Sequence, residues 1–447
     1  MEKLFKLKAR GTDTRTEIIA GLTTFMTMAY VLAVQPFAIC GGAQSITDVN
    51  GVEITRTAIM VSCALISGLI TLLMAFYTNF PFALSTGMGS NFLLGALIQS
   101  QQLSFGAAMA ITLISGIVFV LLTVFGLRDL MVRMMPKNIK IAISASIGFF
   151  IAYLGFKNSG IAAFEGGVAM GDITNPAVLL AIFGLLLMIA LNALNVKGAI
   201  LISIIVTTVI GIPVGVTSLP AAVVSVPKFS DLGNVMFNLD FAGAFSGGNI
   251  AAVTSALILV FICFFGDFFS TLGTVLGVAS RAGMLDENGN LPGIERPFLV
   301  DAIGTCVGAL TGNTTITTYV ESTSGVEAGG RTGLTALTTG VLFLASTLFA
   351  PIFTAIPSFA TAPALIMVGF LMVGTVTEIR FELDNLTEAI PAYLAIIAMP
   401  LFYSISEGIS LGIISYVLLN LAAGKGKQVK PLMYVLAVLF ILKYIFL

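Results

Sequence analysis

Two acidic residues lie in apolar surroundings where a charge has no nearby basic partner. Asp267 stands among phenylalanines in the run 264–274, and Glu321 ends the threonine-rich stretch 311–321. A charge at the centre of a bilayer costs roughly 3 kcal/mol or more, so acids in such positions usually serve a function. We therefore predict that Asp267 and Glu321 bind a polar ligand, a proton or both. The structural alternative for each is a hydrogen bond between helices.

Other chemical groups point to simpler roles. Asp301 follows Arg296 near the start of an apolar run, which favours a structural partnership. The chain has no histidine, so proton transfer must use carboxylates. Its four cysteines lack Cys-x-x-Cys spacing, and no Walker, His-Glu-x-x-His or Gly-x-Ser-x-Gly sequence occurs. We predict no catalytic residue, no metal site and no cofactor other than a coupling ion, so the chain is not expected to be an enzyme.

The composition places these acids in a lipid bilayer. Of the 447 residues, 57% are hydrophobic and only 10% are charged, and the mean hydropathy is +1.04. Soluble domains have about 25% charged residues. The formal net charge of −1 gives no reason to expect nucleic acid as a partner. We predict an all-α polytopic membrane protein.

Apolar runs near the 20 residues needed to cross a bilayer recur along the chain. We place fourteen spans at 17–39, 57–78, 82–98, 105–127, 138–157, 175–194, 197–216, 248–279, 297–311, 312–331, 332–353, 361–376, 386–405 and 406–423. An apolar tail, 431–447, is short for a span, so it either crosses the bilayer or lies in the interface.

Basic residues predict the orientation. With the N-terminus in the cytoplasm, the outside segments hold only Arg56, Lys157 and Lys228, whereas the inside segments hold most of the other lysines and arginines. This asymmetry follows the positive-inside rule. We expect a multi-pass protein of the plasma membrane with a cytoplasmic N-terminus and an even number of spans before Lys425.

Two pairs of segments suggest an internal repeat. Segment 113–119 is similar to 337–343, and 198–205 is similar to 408–415. These pairs relate span 4 to span 11 and span 7 to span 14. Because seven is odd, the second copy must be inverted in the membrane, which is typical of secondary transporters. Chance similarity between apolar helices is the alternative.

Two spans are interrupted at equivalent positions in the two copies. Stretch 79–91, which opens span 3, contains Pro81, Gly87 and Gly89. Stretch 311–321, which opens span 10, is rich in threonine and favours extended chain. Paired interruptions indicate a transporter binding site, because irregular backbone at membrane depth must be buried in protein or line a cavity. Ordinary loops are the alternative.

Motifs spread over nearly the whole chain carry a family resemblance. They occupy 20–30, 87–91, 270–274, 317–322, 329–335, 356–366 and 399–409. Together they resemble the nucleobase/ascorbate transporter superfamily, the nucleobase–cation symporters, in its hypoxanthine/guanine/adenine permease branch. Three positions depart from the family pattern, namely Gln35, Ser270 and Asn313.

The resemblance implies a fold of fourteen segments in two seven-span inverted repeats, with short β-strands in spans 3 and 10 that meet at the membrane midplane. Spans 1–4 and 8–11 would form a core domain that moves like an elevator against a gate domain of spans 5–7 and 12–14, through which a homodimer would form. The implied division is a cytoplasmic N-terminus at 1–16, core at 17–127 and 248–353, gate at 128–247 and 354–424, and a cytoplasmic or interfacial tail at 425–447.

The resemblance also implies proton-coupled uptake of guanine, hypoxanthine or adenine. The family's acidic residues in spans 8 and 10 correspond to Asp267 and Glu321. Carboxylates can accept two parallel hydrogen bonds from a purine edge, and one of these acids would carry the proton. The other expected substrate contacts, which are polar or stacking, are Asn91, Ser90, Gly89, Thr314, Thr315, Phe92 and Phe268.

Other functions remain open from the residues alone. A uracil or xanthine carrier on the same fold, coupled to sodium instead of protons, has the same apolar pattern. An anion carrier would need lysine or arginine near spans 3 and 10, where only Arg331 occurs at the inner end. A channel or a membrane enzyme is the remote alternative, and neither has a motif in this sequence.

Overall fold

A computed structural model describes residues 2–126, 136–164, 168–220, 222–227, 232–245, 250–286, 291–379, 381, 385–402 and 405–446. Lys228, which entered the charge argument, lies outside these residues. The helices of the first half are α1 Glu2–Phe5, α2 Thr14–Met28, α3 Val31–Cys40, α4 Arg56–Thr78, α5 Met88–Gln99, α6 Phe105–Val124, α7 Lys137–Asn158, α8 Pro176–Ala193 and α9 Ala199–Gly211.

The second half has a comparable series. Its helices are α10 Phe241–Ala244, α11 Ile250–Arg281, α12 Glu295–Leu310, α13 Ser322–Glu327, α14 Gly333–Ser346, α15 Ala350–Ala355, α16 Ser358–Val373, α17 Leu386–Leu401, α18 Ile405–Ala422 and α19 Pro431–Phe446. The strands of the whole chain are β1 Ser45–Thr47, β2 Glu53–Thr55, β3 Leu84–Thr86, β4 Ala162–Ala163, β5 Ala169–Met170 and β6 Ile316–Thr318.

Seven helical stretches of the described chain are long and apolar enough to cross a membrane. They are Thr14–Cys40, Arg56–Thr78, Phe105–Val124, Ile141–Asn158, Pro176–Ala193, Val253–Arg281 and Gly333–Ala355. Shorter apolar helices of 10–17 residues lie between and after these stretches. The protein is therefore a helical membrane protein with several apolar helices. The count of fourteen crossings stays a prediction.

Polar side chains fix where helices begin. Thr55 accepts a hydrogen bond from the N–H of Ala58 at the start of α4, and Ser104 accepts one from the N–H of Ala107 at the start of α6. Such caps satisfy N–H groups that have no partner inside the helix. At the start of α14 the same need is met from another helix, because the fully buried Glu17 of α2 accepts hydrogen bonds from the backbone of 331, 332 and 335.

Span 10 is interrupted by extended chain, as its threonine-rich opening predicts. The range 312–331 contains a three-residue strand and a six-residue helix in place of one long segment. Gly312, at φ 80°, turns the chain after α12, and the threonines that follow favour extended backbone over helix. Span 3 is also divided, into β3 and the twelve-residue α5.

The two divided spans meet each other. Strands β3 and β6 pair antiparallel, with Leu84 opposite Thr318 and Thr86 opposite Ile316. Every residue of both strands is buried. Their backbone groups therefore satisfy one another inside the protein, as irregular backbone in a membrane must. We call this paired region the strand crossing.

Helix packing follows the repeat inferred from the sequence. α4 packs against α14, and α12 packs against α6. In the predicted repeat, α4 corresponds to α12 and α14 corresponds to α6. The α4–α14 contact of one pairing is therefore equivalent to the α12–α6 contact of the other. α7 against α17 and α8 against α16 form a second such pair. The packing therefore has an approximate twofold relation that passes through the strand crossing.

The helices pack in two groups. The crossing group contains α2–α6 and α11–α14 with the two central strands, and the flanking group contains α7–α9 and α16–α18. The most extensive contacts stay inside a group, such as α4 with α14 and α7 with α16, while contacts between the groups are sparse. The predicted core and gate domains would fall on these two groups, and their relative motion stays a prediction.

Candidate functional site

The strand crossing is extended at both ends by further backbone hydrogen bonds. The N–H of Gly87 donates to the carbonyl oxygen of Thr315 over 2.7 Å, and the N–H of Tyr319 donates to that of Ala83 over 3.0 Å. The Tyr319 hydroxyl also donates a hydrogen bond to the carbonyl oxygen of Thr86, over 2.5 Å. Side chains near the crossing are thus held on a rigid backbone frame.

Two helices begin at this frame. α5 starts at Met88, directly after β3, and α13 starts at Ser322, shortly after β6. Helix N-termini carry unpaired N–H groups and a partial positive charge, which favour acceptor groups of a ligand. The sequence interruptions therefore produce two helix starts beside one buried strand pair.

Four predicted contact residues come together between the halves of the chain. The Asn91 amide donates to the Thr86 hydroxyl over 3.1 Å, and its oxygen accepts a hydrogen bond from Thr314. The hydroxyls of Ser90 and Thr315 lie 2.6 Å apart. Asn91 and Thr314 are fully buried. The first and second repeats are therefore joined by side chains as well as by the strands.

Asp267 reaches the crossing from α11. Its Oδ2 accepts a hydrogen bond from the Thr305 hydroxyl over 2.7 Å, and that hydroxyl also accepts one from the N–H of Ile316 in β6, over 3.0 Å. Asp267 is only 4% exposed, and its Oδ1 has no hydrogen-bond partner among the described residues. A buried carboxylate oxygen left open in this way is suited to accept a hydrogen bond from a ligand N–H.

Asp301 belongs to the same cluster, which sequence reasoning missed. It is fully buried, and it accepts hydrogen bonds from Thr271 over 2.8 Å and Thr318 over 3.2 Å. Thr271 also lies 2.9 Å from the hydroxyl of Thr317. The expected partnership with Arg296 is wrong, because Arg296 is exposed at the start of α12 while Asp301 faces the strands.

A helical count would have given the missing signal for Asp301. It stands six residues into α12, within the apolar stretch Phe298–Val300 and Ala302, so the same burial argument that selected Asp267 applies to it. Its charge was discounted only because it was placed near a predicted span end.

Glu321 is placed apart from this carboxylate pair. It precedes α13 and is partly buried. Its Oε1 accepts a hydrogen bond from the Tyr30 hydroxyl over 2.8 Å, which ties it to the break between α2 and α3. No hydrogen bond among the described residues joins Glu321 to Asp267. The two acids have separate partners, which are Tyr30 for Glu321 and Thr305 for Asp267.

The predicted stacking residues have different surroundings. Phe92 lines a cavity of about 230 Å³ between the two groups, together with Phe37, Gln99, Leu154 and Ser358. Phe268 instead packs edge-on against Phe119 and Phe298, with ring centroids 5.7 and 5.5 Å apart. Phe268 is not among the residues that line this cavity, and its contact with the substrate stays a prediction.

Gly89 marks the boundary between the groups. A Cβ built on Gly89 would lie 3.3 Å from the side chain of Ile147 in α7. The start of α5 therefore faces the flanking group closely, and a larger residue would press against α7.

The three departures from the family pattern lie in unlike environments. Gln35 is fully buried, and neither of its side-chain amide atoms has a partner among the described residues. The Asn313 amide donates to the Ser62 hydroxyl over 2.6 Å, and its oxygen has no described partner. Ser270 is exposed on α11. Two of the departures therefore add buried polar atoms to the protein interior.

Metal binding has no support in the described part of the chain. There, no three histidine, cysteine, aspartate or glutamate side chains come together as a ligand set. The polar groups of the site are carboxylates, hydroxyls and amides, which match a neutral ligand with N–H and C=O groups.

Comparison with known proteins decides the family. A model described as "Permease family", the nucleobase/ascorbate transporter family, matches residues 15–441. The chain belongs to this family. It is 38% identical to the guanine/hypoxanthine permease PbuG of Bacillus subtilis, over 100% of both chains. It is 36% identical to the adenine permease AdeP of Escherichia coli, over 100% of this chain and 96% of that protein.

Solved structures give the same fold at lower sequence identity. The transmembrane domain of the cyanobacterial bicarbonate transporter BicA matches with a TM-score of 0.62 and 15% identity, over 88% of this chain and 97% of that domain. The family resemblance stated from the motifs is confirmed, and so is the interpretation as a membrane transporter rather than an enzyme. As a member of the nucleobase/ascorbate transporter family, the chain is a multi-pass permease.

Proposed function

We propose that this permease takes up purine nucleobases, with guanine, hypoxanthine and adenine as the candidate substrates, by proton-coupled secondary transport. The full-length relatives named for adenine and for guanine/hypoxanthine support the substrate class. The observation that carries the proposal is the Oδ1 of the buried Asp267, which has no partner among the described residues and lies beside two paired strands.

The proposed binding mode uses the geometry of the crossing. A purine edge donates its ring N–H to Asp267, as charged acceptors form stronger hydrogen bonds than neutral ones. Ser90, Thr315 and the helix start at Met88 face the polar groups of the base. Phe92, at the wall of the cavity between the groups, covers the ring.

Proton coupling is assigned to the buried carboxylates. Asp267 and Asp301 share a cluster of threonine hydroxyls, to which no lysine or arginine of the described residues is hydrogen-bonded. Two carboxylates close together interact, so a proton held there belongs to the pair. Binding of the base beside Asp267 would then depend on that proton. Glu321, held by Tyr30, is the second candidate, and sodium is the alternative coupling ion.

The proposed transport movement is a shift of the crossing group against the flanking group. Sparse contacts between the groups and the cavity between them support this movement. We further propose that the flanking group forms the homodimer contact and that the N-terminus lies in the cytoplasm of a plasma-membrane protein.

Uptake of radiolabelled guanine, hypoxanthine, adenine, uracil and xanthine in permease-deficient cells tests the proposal. We expect saturable purine uptake that a protonophore abolishes and that removal of sodium leaves unchanged. Uptake that needs sodium and resists the protonophore would show that the coupling ion is sodium rather than a proton. Saturable uptake of uracil or xanthine alone would show that guanine, hypoxanthine and adenine are not the substrates.

A further inference from the structure

A second cavity lies at the end of the crossing group that carries the N-terminus. Its volume is about 300 Å³. It is lined by Arg10, Phe80, Ala282, Gly283, Met284, Leu291, Pro292 and Arg331. None of these residues belongs to the flanking group, so the cavity is separate from the space in which the substrate is proposed to move.

The two arginines bring unpaired positive charge to this cavity. Nη1 of Arg331 donates to the carbonyl oxygens of Val326 over 2.6 Å and Gly330 over 2.8 Å, which fixes the orientation of the guanidinium. The Arg10 guanidinium lies 5.8 Å from the centre of the Phe80 ring. Neither arginine forms an ion pair with a carboxylate of the described residues.

Nearby acids leave this charge largely uncompensated. No carboxylate of the described residues lines the cavity. Glu17 lies behind Arg331, but its oxygens are occupied by backbone N–H groups and by the hydroxyl of Thr335. Asp286 is exposed on the turn after α11, two residues beyond Met284. A cavity whose described wall holds two guanidinium groups and no carboxylate favours an anion.

We propose that this cavity binds the phosphate group of an anionic ligand. Guanidinium groups form paired hydrogen bonds with phosphate oxygens, and among the described residues the side chain of Arg331 donates only through Nη1. Phe80, Met284, Leu291 and Pro292 form an apolar wall for the organic part. A purine nucleoside monophosphate offers a phosphate and a flat ring together, and a phospholipid headgroup offers the same phosphate.

Occupancy of the cavity acts on the crossing group. Phe80 stands four residues before β3, and Arg331 stands two residues before α14. A ligand held by both arginines joins the segments that lead into the strand crossing and into the helix capped by Glu17. If the chain carries purine bases, enzymes inside the cell convert those bases to this nucleotide class by phosphoribosyl transfer. Binding of the nucleotide would then make the permease respond to the nucleotide concentration in the cell. That regulatory step rests on the proposed function, whereas the binding itself does not.

Binding of guanosine 5′-monophosphate to the purified full-length protein in detergent tests the proposal. We expect saturable binding that inorganic phosphate displaces and that guanosine and excess guanine do not. Arg10→Gln should weaken binding by about tenfold or more, the loss expected for one charged hydrogen-bonding group. Arg15→Gln is the matched control, because it removes an exposed charge from the same segment without touching the cavity.

The lipid source is tested in parallel by thermal unfolding. Stabilisation by phosphatidylglycerol but not by phosphatidylcholine, lost in Arg10→Gln and kept in Arg15→Gln, assigns the phosphate to a headgroup. Nucleotide binding with the same pattern assigns it to a soluble ligand. Neither effect in the wild type, or equal effects of Arg10→Gln and Arg15→Gln, overturns the proposal. Each readout is independent of uptake, so a failed uptake assay leaves the result interpretable.

Discussion

Asp267 carries the strongest chemical signal of any single residue in the site. Its Oδ2 is fixed by Thr305, while its Oδ1 is buried without a described partner. Leaving a buried acceptor unsatisfied costs about 1–3 kcal/mol, and more for a charged group. The fold maintains this group despite that cost, which is characteristic of a ligand-binding position.

Asp267→Asn should reduce purine uptake by about tenfold or more. The substitution keeps the size of the side chain but removes a charged acceptor, and a hydrogen bond to a charged group is worth about 1.5–3 kcal/mol. Initial uptake rates, normalised to the amount of protein in the membrane, measure the effect. Asp172→Asn, at an exposed position, serves as the control. Equal rates in the two variants would remove Asp267 from the binding mode.

Thr305 should be needed for its hydroxyl rather than for its shape. It donates to Asp267 and accepts from the N–H of Ile316. Thr305→Val keeps the volume and leaves that N–H unsatisfied, so we expect a loss of about 1–3 kcal/mol in stability together with weaker uptake. Thr305→Ser should behave like the wild type in thermal unfolding and in uptake. Indistinguishable valine and serine variants would contradict the hydrogen-bond network.

The residues of the site were predictable to different extents. Asp267 and the neighbours of Asn91 follow from charge and from interrupted apolar runs, which a sequence displays directly. Asp301 was underestimated because its depth in the membrane depends on where α12 begins. The stacking role of Phe268 stays a prediction, because two residues adjacent on a helix point about 100° apart, and one sequence does not reveal which direction faces the ligand.

At the scale of elements, close helix contacts determine how the site is held. A Cβ on Gly95 of α5 would lie 2.1 Å from the carbonyl oxygen of Ala38 in α3. The Gln99 amide donates to the same oxygen over 2.8 Å. These contacts keep α3 and α5 side by side, one turn beyond Asn91. Proline and glycine predicted the breaks in span 3, but the pairing of β3 with β6 depends on tertiary contacts that no local pattern encodes.

Gly95→Ala should destabilise the protein and reduce uptake. The added methyl group overlaps backbone, and overpacking of this kind costs about 1–3 kcal/mol. Gly277→Ala, in α11, is the matched control, because nothing lies within 4 Å of its built Cβ. Alanine also favours a helix over glycine by about 0.5–1 kcal/mol, so the control should unfold at the same or a higher temperature. A stable Gly95→Ala variant would contradict the packing of α3 on α5.

At the scale of the whole molecule, the chain consists of two groups of helices with sparse contact between them. The first group contains both strands and the carboxylate pair, and the second presents α7 to the start of α5. An elevator movement requires such a boundary to slide while each group stays rigid. The apolar spans could be predicted from hydropathy, whereas this division arises from which helices pack together across the two repeats.

A disulfide across the boundary should stop transport. Gly89→Cys with Ile147→Cys would place two thiols on facing sides of α5 and α7, because a Cβ at position 89 would lie 3.3 Å from the side chain of Ile147. Oxidation should abolish uptake and a reductant should restore it, in a background without the four native cysteines. Gly184→Cys with Thr207→Cys, inside the flanking group, should remain active when oxidised, because a Cβ at position 184 would lie 3.5 Å from the Cβ of Thr207 and the atoms nearest to it belong to that side chain. Full activity of the oxidised cross-boundary pair would exclude sliding at this contact.

The strand crossing also has a consequence for biosynthesis. β3 and β6 are partners although about 230 residues separate them. A ribosome adds about 5–20 residues per second, so β3 emerges roughly 10–50 s before its partner exists. During that interval the first repeat holds unpaired backbone in an apolar setting. The insertion machinery must therefore protect the first repeat until the second repeat has been synthesised and β6 can pair with β3. A chain truncated before β6 should be degraded rather than accumulate.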